Sequence, residues 1–158
     1  MAALGVSNAT FSDKKVNKEI DRLIQSMIPP RSNMEDIAKA GTYLIPFLYN
    51  KRKYNDKDRK CCLELLELID SEKAIPAIMS YLEGNANFVI QKAALELLSM
   101  FNGSILDEYN VKEYLCNLLV NSIVKNEVKT SIYMINILNR LNLNAYFNKR
   151  INKIKKLH

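Results

Sequence analysis

The sequence has no tryptophan, one histidine, three cysteines, four glycines and four prolines. Strand-and-turn folds consume Gly and Pro at their reversals, so this scarcity favours helices. The lone histidine, His158, cannot anchor a triad or a metal site. Cys61 and Cys62 are adjacent and Cys116 is distant. With no C-x-x-C and no Cys/His cluster, a zinc site or redox dithiol is not expected. The odd thiol count points to a reducing, cytoplasmic setting. Isolated glycines supply no phosphate-cradling loop. The longest apolar run, Tyr43 to Tyr49, contains Pro46 and is far too short to span a membrane. The opening M-A-A-L-G-V-S-N-A-T-F lacks the basic start and apolar run of a secretory signal. Without such a signal, the glycosylation-like triplets at Asn8 and Asn102 read as chance matches. The expectation is a chain with no cofactor, no metal and no membrane span.

Acid is missing from one region. Residues 1–127 hold 16 Lys+Arg and all 17 Asp+Glu, a net of −1; residues 128–158 hold 7 Lys+Arg and no acid, a net of +7. The formal charge of +6 therefore belongs to the C-terminal fifth.

What is present is helical periodicity. Apolar residues make up 48% of the 158 residues, enough for one domain with a sizeable core. Met34, Ile37, Ala38, Gly41, Ile45 and Leu48 follow three-and-four spacing, which predicts one helix face. So do Ile75, Ile78, Met79 and Leu82, and Ile90, Ala94, Leu97, Leu98 and Phe101. Val111, Tyr114, Leu115, Leu118 and Leu119 continue the pattern, with a stop at Asn121–Ser122. Period-two alternation is absent, so no strand is expected. Candidate N-caps are Ser32 or Asn33, Asp56, Ser71, Asn85 or Asn87, Asp107, Asn126, and Asn142 or Asn144. The eighteen asparagines cluster at such loop and helix-edge positions.

The chain also repeats itself. K-C-C-L-E-L-L at residues 60–66 returns as K-A-A-L-E-L-L at 92–98, five identities in seven at an offset of 32. Ile45-Pro46 returns as Ile75-Pro76. A weaker third copy runs from Val111 to Ile123 and then through Lys129-Thr-Ser-Ile-Tyr-Met-Ile. A helix pair of this length cannot bury its own apolar face, but stacked pairs can.

On these residues, Ala74 to Phe101 (A-I-P-A-I-M-S-Y-L-E-G-N-A-N-F-V-I-Q-K-A-A-L-E-L-L-S-M-F) resembles a HEAT/armadillo repeat. Residues 43–69 match less well, because Asp58 and Arg59 stand where Val or Ile is usual. Residues 111–138 match in apolar spacing alone. The resemblance implies an all-α chain: a short right-handed α-solenoid of three to four helix pairs, about eight helices. Residues 1–12 would be a flexible N-terminus and 13–158 one repeat domain. Asp13 to Met27, with Val16, Ile20, Leu23, Ile24 and Met27 in register, would cap one end (13–28), and the basic helix 144–158 the other. In such solenoids the second helices usually line the concave face. Families with this fold are mostly scaffolds and binding modules, or repeat segments of larger regulators. One small branch excises damaged DNA bases, using an acidic residue among aromatics that include Trp, which is missing here.

Candidate sites follow from the repeat and the charge. Lys60, Lys92 and Lys129 take equivalent positions, with Glu64, Glu96 and Tyr133 four residues on. This ladder either grips a protein partner or is a solvated face with i,i+4 ion pairs. Residues 49–60, Y-N-K-R-K-Y-N-D-K-D-R-K, mix Lys51, Arg52 and Lys53 with Tyr49 and Tyr54. They read as a solvated loop or as a nucleic-acid contact. In the tail, Phe147, Ile151, Ile154 and Leu157 form an apolar stripe beside Lys149, Arg150, Lys153, Lys155 and Lys156. It either caps the repeats, contacts nucleic acid, or meets a partner or membrane surface. Cys61, Cys62 and Cys116 read as small core residues. The acid pairs Glu64/Glu67, Asp56/Asp58 and Glu35/Asp36 read as solvated faces, caps or dipole-favoured charges. The function expected is a non-enzymatic protein-binding module, with nucleic-acid binding as the alternative and the oligomeric state open.

Overall fold

The computed structural model describes residues 14–84 and 87–157. The expected flexible segment 1–12, Asp13, the candidate cap Asn85, His158 and the side chains of Ile154 and Leu157 lie outside the described residues. Among the described residues, the fold is all-helical with no strand. The α-helices are α1 (Lys14–Met27), α2 (Met34–Ala38), α3 (Asp56–Ile69), α4 (Ile75–Met79), α5 (Phe88–Ser99), α6 (Gly103–Glu108), α7 (Val111–Val124), α8 (Val128–Arg140) and α9 (Asn144–Leu157). Three 3-10 segments, Gly41–Phe47, Glu72–Ala74 and Ser80–Leu82, complete the order. The described residues divide into two compact units, one ending at Ala94 and one beginning at Leu95, with the boundary inside α5.

Asparagine does much of the punctuation. Asn33, Asn110, Asn126 and Asn142, with Asp70, hold φ between +49° and +59°. Glycine is the usual residue for that region, and Asn and Asp are the next best tolerated. A chain with four glycines uses Asn instead. After α7, Asn126 N donates to Ile123 O and Glu127 N to Ser122 O, at 3.0 and 2.8 Å. After α8, Asn142 N and Leu143 N bond Asn139 O and Leu138 O in the same way, at 3.1 and 2.8 Å. Both are Schellman closures, which satisfy the last carbonyls of a helix and stop it.

Several starts differ from the sequence expectation. The cap of α3 is Asn55, not Asp56: Asn55 Oδ1 accepts from Asp58 N (2.8 Å) while Asp58 Oδ2 accepts from Asn55 N (3.2 Å). This capping box makes Asp58 a structural acid at a position where the repeat pattern has an aliphatic. The cap of α6 is Asn102, whose Oδ1 accepts from Ile105 N at 3.0 Å; Asp107 lies inside that helix. Ser71 and Asn87 accept from Lys73 N and Ile90 N as expected. α7 runs past Asn121–Ser122 to Val124. The helix face predicted from Met34 to Leu48 is instead α2 followed by the 3-10 segment. Gly41, at φ +64°, breaks the helix, and Pro46 lies within the 3-10 turns.

In the first unit, the core gathers Ile24, Leu44, Leu48, Cys62, Leu65, Leu66, Ile75, Ile78 and Tyr81, all essentially inaccessible. α2 packs on α3, and the 3-10 segment Gly41–Phe47 meets α1, α3 and Glu72–Ala74. Tyr43 Oη donates to Asp21 at 2.8 Å, tying that segment to α1. Tyr81 Oη donates to Leu48 O at 2.5 Å, so the largest buried side chain leaves no orphan hydroxyl. In the second unit, α7 packs against α6, α8 and α9 around Leu106, Val111, Leu115, Cys116, Leu119, Met134, Ile137 and Leu138. Ser122 and Ser131 are buried between α7 and α8 with their hydroxyls 2.8 Å apart.

Candidate functional site

The repeated heptad has a repeated burial pattern. Lys60 and Lys92 are exposed, Cys61 and Ala93 half-buried, Cys62 and Ala94 buried. Leu63 and Leu95 are buried, Glu64 and Glu96 half-buried, and the following pairs Leu65/Leu97 and Leu66/Leu98 buried. All seven positions agree between α3 and α5. A helix turn places i, i+3 and i+4 together, so one sequence register gives one buried face.

α8 follows this register and then departs from it. Lys129 is exposed, Thr130 half-buried, Ser131 buried, Tyr133 half-buried and Met134 buried, as their counterparts are. Ile132 stands where Leu63 and Leu95 are buried, yet it is 57% exposed. Ile135 stands where Leu66 and Leu98 are buried, yet it is 43% exposed. Val128, four residues before Ile132, is 57% exposed, and Val124, at the end of α7, is 79% exposed. Val128, Ile132 and Ile135 fall at i, i+4 and i+7, a single apolar stripe along the open side of α8. The sequence reading missed this feature. The register alone shows aliphatics at both positions; that no neighbour covers them is visible only in the structure.

The predicted ladder is only partly assembled. Lys60, Lys92 and Lys129 are each exposed on their own helices. In the second unit Glu96 is engaged by two α8 residues: Tyr133 Oη donates to it, and Arg140 Nη2 lies 3.1 Å from its Oε1. Glu96 and Tyr133 thus act as a strut between α5 and α8. No ion pair joins Lys60 to Glu64.

Residues 49–60 form a pinned corner. Asn50 N donates to Ser80 Oγ (2.9 Å), Asn50 Nδ2 to Ser80 O (3.3 Å), and Arg59 Nε to Asn50 Oδ1 (2.9 Å). Arg59 also pairs with Asp56 at 3.3 Å, and Arg31 with Asp58 at 2.9 Å. Tyr54 is buried, with Lys51 Nζ 5.7 Å from its ring centroid, and burial pushes its phenol up to about 12. It cannot stack a base. Arg52 and Lys53 remain exposed. Arg59, Asn50 and Ser80 border an open concavity of about 600 Å³ with Arg52, Glu83 and Gly84. Sequence reasoning missed this cluster because its bonds join residues about thirty apart.

In the tail, Phe147, Arg150 and Ile151 are half-buried, and Arg150 Nη2 lies 3.2 Å from Glu113 Oε1 on α7. Lys149, Lys153, Lys155 and Lys156 are exposed.

The thiols are set for packing. Burial pushes the Cys62 thiol up to about 11, opposed by a hydrogen bond with Tyr81, and burial also raises Cys116 against the nearby Arg150. A raised thiol carries little nucleophilic thiolate at neutral pH. Among the described residues, no three His, Cys, Asp or Glu side chains come together in a metal-holding group, and no helix is long and apolar enough to cross a membrane. Compared with protein-family models, curated proteins and solved structures, the chain has no match in any of the three.

Proposed function

We propose that this chain is a non-enzymatic protein–protein interaction module, acting as a scaffold, an adaptor or a regulatory repeat segment of a larger assembly. It docks its partner on a second-helix face. On this reading the helix pairs are units of a short HEAT/armadillo-like α-solenoid, a fold suited to binding through repeated helix surfaces. The observation that carries the reading is the uncovered register of α8, where Ile132 and Ile135 are exposed at positions buried in both earlier copies. Exposed contiguous apolar surface is costly in water and marks interaction sites. A cytoplasmic setting and reduced thiols fit the same account.

The alternative is nucleic-acid binding, favoured by one observation: Lys149, Lys153 and Lys156 are exposed along α9 at i, i+4 and i+7. Phosphate contacts by such lysines release counterions, so their affinity falls steeply with salt. The two readings separate in an anisotropy titration of labelled DNA duplex and RNA single strand at low and near-physiological salt. The full chain is compared with Lys149→Gln/Lys153→Gln/Lys156→Gln. The module reading expects at most a low-salt trace. Binding that persists near physiological salt and drops in the triple variant would establish the alternative.

A further inference from the structure

The second unit has an unbalanced surface charge. Three of its acids are already paired: Glu96 with Arg140, Asp107 with Lys112 and Glu113 with Arg150, at 3.1, 2.6 and 3.2 Å. Among the described residues, Lys125, Lys129, Lys149, Lys153, Lys155 and Lys156 carry no ion pair. Only Glu108 and Glu127 remain to oppose them, a surplus of four positive charges. Two of these lysines, Lys125 and Lys129, sit at the turn and first residues of α8, beside Val124 and Val128. They lie on either side of Glu127 in the chain, so they leave a local excess of one positive charge there.

We infer that the partner of the α8 face is an acidic amphipathic helix, whose apolar side covers Val128, Ile132 and Ile135 while its carboxylates meet Lys125 and Lys129. This rests on the protein-binding reading above and specifies the chemistry of the occupant. The register supplies the shape: in α3 and α5 the positions of Ile132 and Ile135 are covered, and anchors at i, i+4 and i+7 are what a docked helix reads. The charge selects among occupants. A second copy meeting α8 to α8 would offer Lys125 and Lys129 no carboxylate from that helix, because residues 128–140 contain no acid. A nucleic acid would match the lysines but not three exposed aliphatics.

The test uses the full chain and two synthetic helical peptides sharing one leucine stripe, one edged with Glu and the other with Lys. Peptide anisotropy is measured at near-physiological salt. The Glu-edged peptide is expected to bind, and the Lys-edged one to bind about tenfold more weakly or worse. Ile132→Glu should weaken the Glu-edged peptide about tenfold or more. Lys125→Glu/Lys129→Glu should reverse the preference between the peptides. Because Ile132, Lys125 and Lys129 are exposed, unchanged circular dichroism is expected in each variant. Val89→Glu, exposed in the first unit, should leave binding alone. Equal binding of both peptides, binding indifferent to Ile132→Glu, or no binding would overturn the inference. So would an Ile132-dependent dimer in sedimentation, or displacement of the peptide by duplex DNA. Failure of the peptides alone leaves the module reading standing if a crosslinker at position 132 still yields a protein adduct; absence of that adduct fails the module reading itself.

Discussion

Ser122 and Ser131 offer a test in which a single proton decides the outcome. Ser122 Oγ donates to Leu119 O at 2.9 Å, and the two serine hydroxyls are 2.8 Å apart in a buried setting. A hydroxyl has one hydrogen, and that of Ser122 is committed to Leu119, so Ser131 must be the donor to Ser122. Ser131→Ala then removes one hydrogen bond and leaves Ser122 satisfied. Its expected cost is about 1 kcal/mol, the net worth of an ordinary hydrogen bond. Ser122→Ala leaves the Ser131 hydroxyl buried without its acceptor, and that desolvation costs about 1–3 kcal/mol. The double alanine variant removes both hydroxyls, so it should cost less than the sum of the singles and no more than Ser122→Ala alone. Urea unfolding followed by circular dichroism gives the three midpoints. The corresponding melting shifts are about 2–4 °C per kcal/mol for a chain of this size. A Ser131→Ala cost equal to or above that of Ser122→Ala, or strict additivity, would refute the donor assignment.

Three further outcomes are expected. Asn126→Ala and Asn142→Ala should each destabilise by about 1 kcal/mol, because an ordinary L residue is strained in the left-handed region. The corresponding Gly variants should be neutral or stabilising in the same unfolding assay, and Gly variants as harmful as Ala would contradict the role of these turns. In native protein Cys61 should react with a thiol reagent, while buried Cys62 and Cys116 react only on unfolding; rapid labelling of all three would show that they do not pack as described. Cys62, Tyr54 and Tyr81 hold their protons to higher pH in the fold than in the unfolded chain, chiefly through burial. Their stabilisation is complete below the unfolded values, roughly 8.5 for Cys and 10 for Tyr, and is lost as pH climbs toward the folded ones. Urea midpoints should therefore fall steadily above about pH 9 and fall less in Cys62→Ala; a flat profile to high pH would refute this.

The helices were readable because apolar spacing and short polar caps are local. The repeated K-x-x-L-E-L-L segments proved the most informative, since their burial agrees position by position. Asn55 was missed as a cap because neighbouring Asp56 offers the same chemistry and only geometry chooses between them. Asn102 was missed because the short helix Gly103–Glu108 starts four residues before Asp107. The break at Gly41 was hidden by an apolar series that continues across it. Tyr54 looked like a stacking residue because basic neighbours mask an inward-turned ring. Arg59, read as a departure from the repeat, anchors Asn50 of the same corner. The stripe of Ile132 and Ile135 was not legible, because sequence shows which positions are apolar but not whether a neighbour covers them.

The most direct test of the account places a photo-crosslinking residue at Ile132 in the full chain, within its native cells. The same residue at Lys73, exposed in the first unit, serves as the comparison. The account predicts a discrete adduct from position 132 and not from 73, removed by protease and untouched by nuclease. No adduct at 132, the same products from both positions, or an adduct that nuclease removes would contradict it.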